Sequence, residues 1–260
     1  MGGTLETLIL LATVGLLILL RFDARRFGAA DYDDEDAPGG WRTWLHKLAW
    51  YGFGIAFVLV VYVLHPLPSS VLHLRLGEPR ALALMAGLGL GTLGILWALA
   101  YAWWRYGGIS LPDIRRYPAG LLNSVATAFV DEAAFRGILL GLLIAYNWPA
   151  ELAICFQAIL YALATRLGGA GRPRSLLLLS LVFGLVAGWL TVATAGIGAA
   201  LIGNAVTRFA IFVATGHAGQ VTPSAAADEL ADQEERKLTP VGWEVVGDQE
   251  PGAGTPRGAS

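Results

Sequence analysis

The stretch AGLLNSVATAFVDEAAFRGILLGLLIAY, residues 119–146, is long and apolar enough to cross a bilayer, yet it carries Asp131, Glu132 and Arg136 near its middle. A membrane helix needs about 20 predominantly apolar residues, and an unpaired charge at its centre costs at least about 2.5 kcal/mol on insertion scales. The three charges must face protein and not lipid, so this helix belongs to a bundle. Glu132 and Arg136 stand four residues apart and share a face, where they can pair. Asp131 projects about 100° away and needs a partner from another helix.

The rest of the chain fits that reading. Its 260 residues are 55% hydrophobic and 15% charged, against roughly 25% charged in soluble domains. Apolar runs near 4–20, 48–64, 81–104, 119–146, 149–165, 175–193 and 196–215 predict an all-α, polytopic integral membrane bundle of about seven transmembrane helices. A single cysteine, Cys155, excludes an internal disulfide, and the net charge of -2 offers nothing to a nucleic acid.

Basic residues set the expected orientation. No Lys or Arg precedes the first run, whereas RFDARRF (21–27) follows it, the reverse of a cleavable signal peptide. The loops at 21–47, 105–118 and 166–174 together hold eleven Lys or Arg, Arg21 among them, against Arg75 and Arg80 in the loop at 65–80. Basic loops face the cytoplasm, which puts the N-terminus outside and the C-terminus inside. Beyond residue 217 the chain turns polar and rich in Gly, Pro, Asp and Glu, as a flexible cytoplasmic tail would.

Several local patterns have plain structural explanations. GLGTLG (89–94) matches the dinucleotide-binding glycine spacing, but it lies inside an apolar helix without the strand and loop that such a site requires. Close helix packing through Gly87 and Gly91 accounts for it better. DYDDED (31–36) lacks the glycine and distant Glu of a calcium loop and reads as a solvated segment. Trp41, Trp44, Trp50, Trp97, Trp103 and Trp104 look like interfacial anchors, and the four histidines fall at span ends or in loops.

A further intramembrane charge, Arg208, lies in GNAVTRF on the last span, with Asn204 one turn before it. Two carboxylates and two arginines sum to zero, so the two helices are expected to meet with Arg208 near Asp131. On the 149–165 helix, Tyr161 and Thr165 also stand one turn apart, which would bring polar side chains from three helices to one point.

From residue 105 to 215 these features resemble the CPBP family of intramembrane endopeptidases, which includes the CAAX prenyl proteases and the Abi-type and lysostaphin-resistance-like members. Asp131, Glu132, Phe135, Arg136 and Gly137 are similar to its EExxFRG motif, with Asp in place of the first Glu. Tyr161 and Thr165 take the positions of its FxxxH motif, and Asn204 and Arg208 those of its HxxxN motif. The resemblance implies three segments: N-terminal helices at 1–104, a CPBP-like membrane core at 105–216, and the tail at 217–260. It also implies a site at Asp131, Glu132, Arg136 and Asn204, with Thr165 and Arg208 as motif positions, in a bacterial cell membrane.

In the family, the first Glu and a His are thought to activate water, with a divalent metal as an implied cofactor, while the third motif supports the oxyanion. Here both motif histidines are replaced. Thr165 has no titrating imidazole and is not a usual zinc ligand, and the fixed charge of Arg208 neutralises Asp131. The expectation is a divergent member with weak or lost proteolytic activity, a pseudoenzyme. The alternative is a catalytically silent scaffold that binds a membrane-embedded or lipidated protein. A transporter ranks last, because the first three spans hold no second set of buried carboxylates.

Overall fold

A computed structural model describes residues 4–24, 41–109, 111–112, 114–167 and 174–215. The acidic run at 31–36, His217 and the expected tail at 217–260 lie outside the described residues. The described chain is helical: α1 (Thr4–Phe22), α2 (Trp41–Leu64), a one-turn α3 (Pro68–Val71), α4 (Arg80–Tyr106), a 3₁₀ turn (Ile114–Arg116), α5 (Tyr117–Glu132), a π-helical segment (Ala133–Leu139), α6 (Leu140–Ala145), α7 (Ala150–Leu167), α8 (Arg174–Thr194) and α9 (Gly198–Thr215). α5, the π segment and α6 follow one another without a break and cover the span expected at 119–146.

Apolar composition produces these helices, because in hydrocarbon each backbone N–H and C=O must be satisfied within its own segment. Stretches within α2, α4, α8 and α9 are long and apolar enough to cross a membrane, and Leu8–Phe22 and Ala150–Thr165 form shorter apolar helices. The outer surface is greasy, with Val63, Met85, Leu93 and Leu178 among many exposed large side chains, as expected of a surface that contacts lipid tails. The protein is a polytopic helical membrane protein.

Small residues set the closest helix contacts. α4 packs along α9, where a Cβ on Gly87 would meet the Ala199 carbonyl and Ile202 at 3.0 Å and one on Gly91 would meet Val206 at 2.8 Å. These are the two glycines expected to pack, whereas Gly89 faces open space. On the other side, α7 packs on α8, and the buried Gln157 Nε2 donates to the Gly184 carbonyl at 2.8 Å.

The segment between α2 and α4 folds back onto the bundle. Leu72 is fully buried in the main core with Leu17, Val61, Phe135, Ile138 and Tyr161. The Glu78 amide donates to the Thr194 carbonyl at 2.7 Å, and Arg75 Nε donates to the Ala195 carbonyl at 2.7 Å. This segment therefore ties the α8–α9 turn to the helix that carries the buried charges.

One tryptophan differs from expectation. Trp50 is fully buried, and its indole Nε1 donates to the Leu20 carbonyl at 2.9 Å. It is a core residue that fixes the end of α1 against α2, since a buried indole N–H needs an acceptor and the frayed carbonyls of a helix end supply one. Trp103 and Trp104 are strongly exposed, as interfacial residues should be.

Candidate functional site

α5 and the π segment bring Asp131, Glu132 and Arg136 to the centre of the bundle, each with no exposed surface. The wider π turn spans Ala133–Leu139 and includes Arg136. Such turns are rare in helices and concentrate at functional sites. Arg136 Nη1 lies 3.3 Å from Glu132 Oε1, the pair expected from their spacing. The guanidinium carbon of Arg136 also sits 3.8 Å above the Tyr161 ring, with Phe183 farther off at 5.9 Å. An aromatic face is a favourable neighbour for a cation that has left water.

α9 completes the second half of the site. Asn204 Nδ2 donates to Glu132 Oε1 at 2.6 Å, so one carboxylate oxygen serves both an amide and a guanidinium. Arg208 Nη1 lies 3.9 Å from Asp131 Oδ2, which places Arg208 beside Asp131 as the charge argument required. Thr165 is buried on α7, one turn beyond Tyr161. The Phe135 and Tyr161 rings meet edge to face at 5.4 Å and hold α7 against the π segment.

Arg21 is the residue that the sequence misplaced. Expected in a cytoplasmic loop, it is only 2% exposed in the last turn of α1, and its Nε lies 2.9 Å from Asp131 Oδ1. Among the described residues the cluster thus holds three arginines and two carboxylates, so the expected neutral sum of two and two is corrected to one excess positive charge among them. An arginine at the end of a span ordinarily snorkels to the interface. Here the bond from Trp50 to Leu20 pins that helix end inside the bundle, and Asp131 offers a partner.

A second polar group adjoins Asp131. The Tyr51 hydroxyl on α2 donates to Asn123 Oδ1 and lies 3.3 Å from Thr127 Oγ1, which itself donates to Asn123 Oδ1 at 2.8 Å. Asn123, Thr127 and Asp131 follow one another at four-residue spacing on α5. They form a polar stripe that ends at Asp131, with Tyr51 of α2 against its first two members.

Residues 113–210 match the type II CAAX prenyl endopeptidase Rce1-like family, less than half of the chain. This segment is similar to the CAAX protease family. No characterised protein and no solved structure matches the chain significantly. Each residue of the three motifs lies inside the matched segment, and Arg21 and Tyr51 lie outside it, on the N-terminal helices.

The donor set does not suit the divalent metal that the family resemblance implies. Among the described residues, no three His, Cys, Asp or Glu side chains cluster, and both buried carboxylates already face guanidinium groups. Fixed positive charge beside both carboxylates repels a dication, and a threonine hydroxyl is a poor replacement for an imidazole ligand.

Proposed function

We propose that this CAAX-protease-family membrane protein has weak or lost proteolytic activity and that its former catalytic centre serves as a charged structural and binding core. The observation that carries this reading is the double pairing of Asp131 with Arg21 at 2.9 Å and Arg208 at 3.9 Å. A general base must present a free lone pair to a water molecule, and here each oxygen of Asp131 faces a guanidinium. Thr165 supports the same reading, since a hydroxyl does not titrate near neutral pH as imidazole does.

In this reading the helices at 1–104 clamp a core at 105–216, with 217–260 as a cytoplasmic tail and the N-terminus outside a bacterial cell membrane. With Arg21 drawn into the bundle, the basic count still favours that orientation, ten residues against two. The partner class is a membrane-embedded or lipidated protein.

A retained, altered hydrolytic site is the second reading, favoured by the contact of Asn204 with Glu132, which keeps two motif positions together at 2.6 Å. One assay separates the two: the purified protein in detergent is incubated with transmembrane and prenylated peptides, beside Asp131→Ala and Glu132→Ala controls. The expected result is no cleavage with or without added divalent metal. Cleavage that either control abolishes would overturn the proposal.

A further inference from the structure

Residues 72–79 join the one-turn α3 to α4 without forming a helix of their own. A segment with no internal ladder must find partners for its peptide groups elsewhere. The His73 carbonyl accepts from the Ile197 amide at 3.1 Å, the Glu78 amide donates to the Thr194 carbonyl at 2.7 Å, and Arg75 Nε donates to the Ala195 carbonyl at 2.7 Å. All three partners lie at the turn between α8 and α9, and α9 carries Asn204 and Arg208. Glycines allow the close approach. A Cβ on Gly196 would meet the Gly77 backbone, and one on Gly198 would meet the Leu76 carbonyl. On the π turn, a Cβ on Gly137 would meet Leu74 Cδ2 at 2.7 Å and the Leu72 carbonyl at 3.1 Å. The segment therefore covers the bundle at the residue that follows Arg136.

Its hold is concentrated at one end. Leu72 is fully buried in the main core, whereas Leu76 is 56% exposed. The Arg75–Glu78 pair, at 3.6 Å, leaves Glu78 72% exposed, and an ion pair so open to solvent adds little. Two residues with left-handed backbone bracket the weakly held part, His73 at φ 52° and Gly77 at φ 104°. Glycine adopts that conformation freely, but at His73 it is strained, and strained residues cluster at switch segments. Hinges are a few loop residues that absorb the backbone change when a lid moves. We propose that residues 73–78 form a lid, hinged at His73 and Gly77, that closes the bundle over Arg136 and Glu132 and admits water to them when it lifts. Lifting separates the Glu78 and Ile197 amides and the Ala195 carbonyl from their partners in one event, so the α8–α9 turn loosens with it. The lid precedes residues 113–210, the segment matched by the family, so this control lies outside the motifs. It operates whether or not the site cleaves peptides.

Hydrogen exchange of the full chain in an uncharged detergent reads the lid without any substitution. The Glu78 and Ile197 amides are expected to exchange together and well ahead of the amides in the middle of α9. Exchange as slow as the slowest amides of α9 would overturn the lid, because the segment would then move only with global unfolding. A second measurement labels thiols with a water-soluble maleimide in a Cys155→Ser background. Ile197→Cys, at a buried position bonded to the segment, is expected to label slowly, while Ala102→Cys, buried between α4 and α9, reports opening of the whole bundle. Arg75→Gln, which removes a charged donor from the Ala195 carbonyl, should raise the Ile197→Cys rate about tenfold. Gly198→Ala, whose Cβ would meet the Leu76 carbonyl, should raise it too. Neither change should alter the Ala102→Cys rate. Equal acceleration at both positions, none at Ile197→Cys, or immediate labelling of Ile197→Cys without either change would overturn the proposal.

Discussion

Asp131 has two cationic neighbours, and removing them singly tests whether the cluster holds one positive charge too many. At an effective dielectric constant of about 20, unit charges attract by about 6 kcal/mol at 2.9 Å, the Arg21 distance, and by about 4 kcal/mol at 3.9 Å, the Arg208 distance. Arg208→Leu loses the smaller attraction. It also removes the repulsion between two guanidinium groups and the desolvation of one of them, so its stability should stay within about 1 kcal/mol of wild type. Arg21→Leu loses the larger attraction and should rank about 2 kcal/mol below Arg208→Leu. The double variant leaves Asp131 buried without a partner and should fall by about 3–5 kcal/mol. Unfolding in mixed micelles with increasing SDS fraction, followed by far-UV circular dichroism, gives the ranking. An Arg208→Leu variant as damaged as Arg21→Leu would refute the picture of an excess, loosely held cation.

Two further outcomes can be checked by the same unfolding assay. Gly91→Ala should destabilise by about 1–3 kcal/mol, because its Cβ would meet the stiff Val206 side chain at 2.8 Å, whereas Gly89→Ala faces open space and should gain about 0.5–1 kcal/mol of helix propensity; equal effects would show that α4 and α9 do not pack through Gly91. Burial lowers the pKa of His73, the Arg75 charge adds to that, and a backbone hydrogen bond at Ala195 opposes it. The unfolded chain then takes up the proton first. The contribution of His73 is full above the ordinary imidazole value of about 6.5 and is lost as the pH falls through the lowered value. His73→Asn, which tolerates the positive φ at this position, should reduce the loss of stability between about pH 7 and pH 5; an unchanged pH profile would count against a half-buried imidazole with a lowered pKa.

Much of the site could be read along the chain. The pairing of Glu132 with Arg136 follows from helical spacing, since residues four apart share a face wherever the helix sits. The approach of Arg208 to Asp131 follows from the cost of leaving either charge alone in hydrocarbon. Packing through Gly87 and Gly91 follows from the need for small side chains where membrane helices come close. In each case a local rule, spacing or burial cost, leaves few alternatives.

The sequence by itself determined that the protein is a bundle of apolar helices with a charged centre on residues 119–146, because hydropathy and the cost of intramembrane charge act on each segment separately. Tertiary structure alone decided that Arg21 turns inward to Asp131, that Trp50 is core, that Asn204 serves Glu132, and that Tyr161 lies beneath Arg136. An arginine at a helix end can snorkel outward or pair inward. Which it does depends on whether a carboxylate far along the chain arrives at the same depth and face, and only the packed bundle sets that.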